Sequence, residues 1–409
     1  MFVFRPGWWA SGALVAAAVL SLVSCSPAPA RTGTGPGPED ARPTGFPSAA
    51  PGVANWSPWP SALHDARHSG AATTDGPRTG TVRWRRRLEG AVTPGPVVGA
   101  DGTVYISSNG GVLHALNPSD GADRWTYESG TVGGGDLSVS PLVLPDRTVL
   151  FPSGDQLIAL SPAGARLWSE RLPGTATSPV TADGRRVYVG DTSGNVSAWD
   201  LPSAGAHHLA WRIDVGTTSY GSVVTGGDGR LYTTADSALV AIDDRGAGAR
   251  LAWRSDPTDD ITEVSAGLGP DGTALLGTNG RFEWAYGRAG GAPLWRSPRV
   301  ITYASPTVTA TGLAYVADHA GLVHVLDVRT GAETTRYGPL GAQIWSSPVV
   351  DRAYRVYVAG QNGHAYGFAP DGRALFDVDL GGPVDSYPAL TGDGALVVGS
   401  RNGFVTAIG

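Results

Sequence analysis

An aromatic residue recurs through this chain at an almost constant interval: Trp84, Trp125, Trp168, Trp211, Trp253 and Trp295, with Thr335 and Phe376 holding the next two places. The steps run from 40 to 43 residues. A fixed period of that size means one supersecondary unit copied many times, and about 40 residues hold four short strands, the content of a propeller blade. A second landmark, Ser-Pro or a variant, opens each unit at Pro96, Pro141, Pro179, Ser222, Ala266, Pro306, Pro348 and Pro388. Both landmarks give eight units across 81–409.

Within a unit, apolar runs of four to eight residues are separated by turn pairs that accept positive φ at the centre of a tight hairpin. Asp101-Gly102, Asp183-Gly184, Asp228-Gly229, Asp271-Gly272 and Asp393-Gly394 join the first strand to the second. Asn109-Gly110, Gly194-Asn195, Asn279-Gly280, Asn362-Gly363 and Asn402-Gly403 join the second to the third. Third strands such as Leu157-Ile158-Ala159-Leu160 and Leu239-Val240-Ala241-Ile242 are apolar on both alternating faces, as strands covered from two sides are. No window after residue 30 keeps a helical apolar period, and 59 glycines with 31 prolines favour short turns. The chain reads as an all-β, eight-bladed β-propeller of four-stranded blades. The last unit stops one strand short, and the stretch 81–88 (Thr-Val-Arg-Trp-Arg-Arg-Arg-Leu) is a strand with no hairpin partner. One supplies what the other lacks, which closes the circle and removes its sheet edges.

Residues 1–24 hold a lone positive residue, Arg5, and then an apolar run from Trp8 to Val23, short for a membrane span and suited to an export signal. Leu22-Val23-Ser24-Cys25 resembles the lipobox of bacterial lipoproteins, which makes Cys25, the one cysteine of the chain, the expected lipidation site. Cleavage after Ala28-Pro29-Ala30 is the alternative. Residues 25–55, rich in Pro, Gly and Ala, read as a disordered tether, because so few apolar groups cannot offset their ordering entropy. The segment 56–80, with Trp59-Pro60 and His64-Asp65-Ala66-Arg67-His68, reads as a lead-in that lies on the ring as a lid or plug, or else as an irregular linker. A net charge of −6 excludes nucleic acid as an expected partner. All 30 basic residues are arginine, so no lysine is available as Schiff base or general base.

The run His114-Ala115-Leu116-Asn117 followed by Asp120-Gly121-Ala122-Asp123-Arg124-Trp125, and Val325-Leu326-Asp327 followed by Thr330-Gly331-Ala332-Glu333, resemble the repeat of pyrroloquinoline-quinone-type propellers. The resemblance covers 81–409. It is shared by quinone alcohol dehydrogenases, by the lipoprotein propeller of the outer-membrane barrel assembly machinery and by sensor domains of exported kinases, so it implies a fold more firmly than a function. The enzymes of this resemblance stack the quinone against two adjacent cysteines, and a chain whose single cysteine is Cys25 cannot build that ring. No cofactor and no metal site are expected, and no Gly-x-Ser-x-Gly elbow supports a nucleophile. His207-His208 falls in an exposed third-to-fourth loop. Arg83 to Arg87 reads as a solvated edge with Trp84 turned inward, or as a lure for anionic lipid or polymer.

The remaining candidates sit just before the first strands, where these open onto the channel mouth: Asp136, Tyr220, Asp260, Glu263, Tyr303, Trp345, Asp385 and Tyr387. They suit a protein docking surface, or are the ordinary polar lining of a wet channel. The expectation is a monomeric, non-catalytic lipoprotein scaffold that binds an unnamed protein partner on the top face and meets the membrane only through its lipid. The alternative is an enzyme or a small-ligand or cofactor binder that uses the axial pocket.

Overall fold

The computed structural model describes residues 57–130, 139–176, 178–203, 205–217, 221–255, 264–279, 282–290, 292–297 and 300–409. The expected signal (1–24) and tether (25–55) therefore lie outside the described residues. Within them the chain forms eight antiparallel sheets of four strands. Seven blades are consecutive, with first strands beginning at Val97, Leu142, Thr181, Val224, Gly267, Thr307 and Val349. The eighth joins Ala389–Leu390, Leu396–Gly399 and Phe404–Ile408 to the early strand Val82–Arg87. That strand pairs antiparallel from Val82 opposite Ile408 to Arg87 opposite Phe404, so chain start and chain end share one sheet.

The periodic aromatic residue is a bolt between blades. Trp84 sits in the eighth blade, and its Nε1 donates to Pro118 O of the first at 2.7 Å. Trp125 donates to Pro162 O (2.9 Å), Trp253 to Arg288 O (3.0 Å) and Trp295 to Val328 O (2.7 Å), each one blade onward. Trp211 reaches Asp244 Oδ1 at 3.0 Å. The ring needs a flat seat. A Cβ at Gly121, where φ is +70°, would stand 2.5 Å from Trp84 Cε3, and one at Gly331 would stand 2.5 Å from Trp295 Cε3. These glycines answer a turn and a close approach at once.

Two local devices aim the bolt. Opposite it on the third strand stands a small residue: Ala115, Ala159, Ala198, Ala241, Ala285 and Ala407, with Gly367 facing Phe376. In most blades the ladder slips by one residue at that point, and such bulges bend a strand and redirect its side chains. An indole covered on both faces contributes roughly 4–6 kcal/mol of apolar burial before entropy is counted. Where Trp168 meets the third blade the seat is His207 instead of glycine. The rings stack at 4.1 Å, and His207 Nε2 is 2.8 Å from Glu170 Oε1. The His207-His208 pair thus starts the long outer strand of the third blade, with His207 packed between blades.

The Ser-Pro landmark also has a mechanical meaning. Ser222 N–H donates to Ser265 Oγ (2.8 Å), Ser265 N–H to Ser305 Oγ (2.9 Å) and Ser305 N–H to Ser347 Oγ (2.9 Å), stitching neighbouring blades around the axis. Strand register moves the landmark by one residue in two blades, since Val180 and Val223, not Pro179 and Ser222, precede the first strand as Pro306 does. The arginines of Val82–Arg87 are engaged at the closure seam. Arg83 pairs with Asp393 at 2.6 Å, Arg86 pairs with Asp123 of the first blade, and Arg85 donates to Asp379 O at 2.6 Å.

Residues 57–77 cross the lower mouth of the channel, where the first strands end. Inner strands carry an unpaired backbone edge, and this strap satisfies it blade after blade. Val98 N–H donates to Trp59 O (2.7 Å), Val143 to Pro60 O (2.8 Å), Thr225 to Ala66 O (2.8 Å) and Leu268 to Arg67 O (3.1 Å), while Ala71 bridges Val350. Trp59 is fully buried, with Ala62, Leu63, His64 and His68 around it in the strap. Asp65 fastens the turn by accepting from the Arg67 N–H (2.9 Å), the Ser69 N–H (3.1 Å) and the Ser69 hydroxyl (2.8 Å). Of the two readings of the lead-in, plug and linker, the plug is the one the fold adopts.

Candidate functional site

The upper mouth is built by the connections that run from one blade's fourth strand into the next blade's first strand, and by the second-to-third hairpins. One backbone bond sets these loops side by side in blade after blade. His319 N–H donates to Ile301 O (3.0 Å), Gln361 to Gln343 O (2.9 Å), Arg401 to Pro383 O (2.9 Å) and Asn109 to Ala91 O (2.9 Å). Each connection therefore presents its side chains beside a hairpin tip.

Three of the expected residues come together there. Tyr303 lies 4.6 Å from the His319 ring and 5.4 Å from Trp345 in an edge-on arrangement. His319 and Trp345 are 6.4 Å apart. Trp345 Nε1 donates to Gln343 Oε1 at 3.0 Å, and the Arg401 guanidinium lies over the Trp345 ring at 5.8 Å. Arg401 also pairs with Asp385, which accepts from Gln361 Nε2 at 2.8 Å. Tyr303, Trp345 and Asp385 are all half-buried, each with one face against the blades and one toward solvent. Burial pushes the His319 pKa down, against the charge of Asp318, and its Nε2 has no partner among the described residues. The result is an aromatic nest with a charge pair at its edge, which suits the anchoring of a protein loop.

Tyr387 goes elsewhere. It occupies the place held by Ser305 and Ser347 in the two preceding blades, and its hydroxyl reaches past the first blade to the Ser140 hydroxyl. Gly95 makes room, because a Cβ there would stand 1.9 Å from Tyr387 Cε2. Ser140 in turn donates to Gly95 O at 2.9 Å. Burial raises the Tyr387 pKa, so the phenol stays neutral and works as a cross-tie between three blades. Asp136, Tyr220, Asp260, Glu263 and the lipidation candidate Cys25 lie outside the described residues.

His319, Gln361 and Arg401 escape a reading of the connections alone because they belong to hairpin tips, where turn chemistry accounts for the sequence. A signal was present nonetheless. Sixteen residues separate Tyr303 from His319, Trp345 from Gln361 and Asp385 from Arg401. Among the described residues no three His, Cys, Asp or Glu side chains gather to hold a metal ion. The residues do not fit a quinone of the kind the fold resemblance suggests, since Cys25 is the one cysteine.

Eight four-stranded blades, six of them carrying the periodic tryptophan, define a quinoprotein-type β-propeller. The fold overlays the crystal structure of BamB from Moraxella catarrhalis with a TM-score of 0.63 at 16% identity, covering 80% of this chain and 96% of that one. It also overlays quinohemoprotein alcohol dehydrogenase from Comamonas testosteroni with a TM-score of 0.68 at 15% identity, covering 87% and 81%. The outer membrane protein assembly factor BamB of Shewanella oneidensis is 26% identical over 297 residues, 67% of this chain and 71% of that protein. The family model described as outer membrane protein assembly factor BamB matches residues 71–258 and 161–408, and the chain belongs to that family.

Proposed function

We propose that this protein is a non-catalytic scaffold of the cell envelope, anchored through a lipid on Cys25, that docks a protein partner on the upper mouth of its propeller. The observation that carries the reading is the Tyr303, His319 and Trp345 nest with its Arg401 and Asp385 pair, on the mouth away from the strap. Half-buried aromatic groups beside a polar rim are the composition of interface hot spots, where Tyr, Trp and Arg dominate affinity. Membership of a family named for outer membrane protein assembly supports a partner within the envelope. The strap supports it too: with the lower mouth filled by the chain's own residues, the upper mouth is the end of the axis left for recognition.

The test is cross-linking in the native envelope followed by identification of the captured protein. A partner captured by the wild type and lost from Trp345→Ala and Tyr303→Ala variants of unchanged thermal stability supports the reading. A partner retained by both variants overturns the assignment of the face. The anchor is tested separately, since Cys25→Ala should move the protein from the membrane fraction to the soluble one.

A further inference from the structure

Every blade but one is hydrocarbon at the same inner position. Two residues before the place opposite the bolt, the third strands carry Leu113, Leu157, Val196, Leu239, Val323, Ala365 and Val405, none more than 1% exposed. In the fifth blade that residue is Glu283, at 0%. It pairs across the ladder with Gly277, and the glycine is what admits it. A Cβ there would stand 3.1 Å from Glu283 Oε2 and 2.5 Å from Thr302 Cγ2. The backbone of Glu283 is satisfied, its N–H by Ser297 Oγ (3.1 Å) and its carbonyl by Ser297 N–H (2.9 Å). Neither carboxyl oxygen has a partner among the described residues.

Alternation along the strand puts Glu283 on the side of Leu275, which packs against Val308, Ala314 and Val316 of the sixth blade. Phe282 and Trp284 take the opposite side, and there the Arg296 guanidinium lies over their rings at 4.6 and 5.8 Å. From the sixth blade the titratable groups beside Thr302 are Tyr303 of the same connection, which faces His319 and Trp345, and His319 itself, held through its backbone to Ile301 O, with Asp318 next to it in the chain. Neither Arg296 nor His319 reaches the carboxyl. A charge at a fully buried site with no partner among the described residues is strongly disfavoured, so the acid keeps its proton, and burial holds its pKa well above 4.5. The outer strand of this blade is Trp295–Arg296, with two ladder pairs to the third strand, where the third blade has a strand of nine residues.

We propose that the fifth blade is a pH-controlled seam of the ring: with its proton Glu283 packs as the aliphatic residues of the other blades do, and when the proton leaves the blade opens. The closed blade holds the proton and an opened one releases it. The opening equilibrium therefore rises about tenfold per pH unit between 4.5, the ordinary carboxyl value, and the higher value of the closed blade.

Hydrogen exchange of the purified full chain from about pH 5 to about pH 9, corrected for the base-catalysed chemical rate, reads this directly. In the wild type, protection of Ala274–Gly277 and Glu283–Tyr286 should fall about tenfold per pH unit over part of that range, while Val104–Ser107 and Val112–Leu116 of the first blade stay flat. Glu283→Leu should flatten the fifth blade. Should the leucine variant misfold, Glu283→Gln, a neutral group of the same shape, should flatten it as well. A wild-type fifth blade whose corrected protection does not change with pH overturns the proposal, as does the same slope surviving in Glu283→Gln.

Discussion

The two mouths of the channel solve the same problem in opposite ways. At the lower mouth the inner strands end in unpaired backbone donors, and a single stretch of chain, residues 57–77, takes up those of Val98, Val143, Thr225, Leu268 and Val350. At the upper mouth loop is bonded to loop through the backbone N–H groups of Asn109, His319, Gln361 and Arg401, and the side chains carried beside these bonds are Tyr303, His319, Trp345, Asp385 and Arg401. A mouth closed by backbone bonds is a stability element, and one dressed with half-buried aromatics is the docking surface we propose.

Substitutions break the comparison most sharply at the strap. Trp59→Ala empties a fully buried site at the first blade and should cost about 3–5 kcal/mol in chemical denaturation, while leaving partner capture by the folded fraction intact. An upper-mouth substitution of similar cost would abolish the distinction.

Acid should separate the mouths next. Burial drives His68 down to about 4, only partly opposed by the Asp65 charge, so His68 is neutral in the docked strap and protonates when the strap is released. Stability present above pH 6.5 is then lost as pH falls from 6.5 to about 4, by about 3 kcal/mol. Burial of Asp65 works to raise its pKa, but hydrogen bonding and charge from His64, with the Ser69 hydroxyl and N–H, hold it at about 2. A second loss of about 2 kcal/mol therefore follows below pH 3.8. Denaturant midpoints of a His68→Phe variant should lack the first window and keep the second.

Within the upper mouth the effects should be smaller and should split. Tyr387→Phe removes the tie to Ser140 and should cost about 1 kcal/mol with capture unchanged. Trp345→Ala should shift stability by less than about 1 kcal/mol, because its ring is half-exposed, and should abolish capture. If Tyr387→Phe lost the partner and Trp345→Ala kept it, the assignment of tie and anchor would be reversed.

Blade number was legible in the chain because it is periodic and local, and closure because an unpartnered strand at 81–88 matched a last unit one strand short. A tryptophan every 41 to 43 residues through six units, with an alanine opposite it and in several units a glycine seat one blade on, is readable along the chain. The seat of Trp168 shows where that legibility ends, since His207 replaces glycine there and its pair looks like a loop or metal motif until the stack is seen. Tyr387 is a second case. It reads as one more aromatic residue before a first strand, and only the space above Gly95 turns it across the mouth to Ser140.

The sequence by itself determined the unit, the count and the strand that joins the ends, because hydrophobic period and turn residues act over a few positions along the chain. The tertiary structure decided which loop residues meet, how the lead-in fills one mouth and that the Glu283 carboxyl is buried with no partner among the described residues. Those outcomes depend on how neighbouring blades sit against one another and, for the lead-in, on blades far along the chain, which no local pattern encodes.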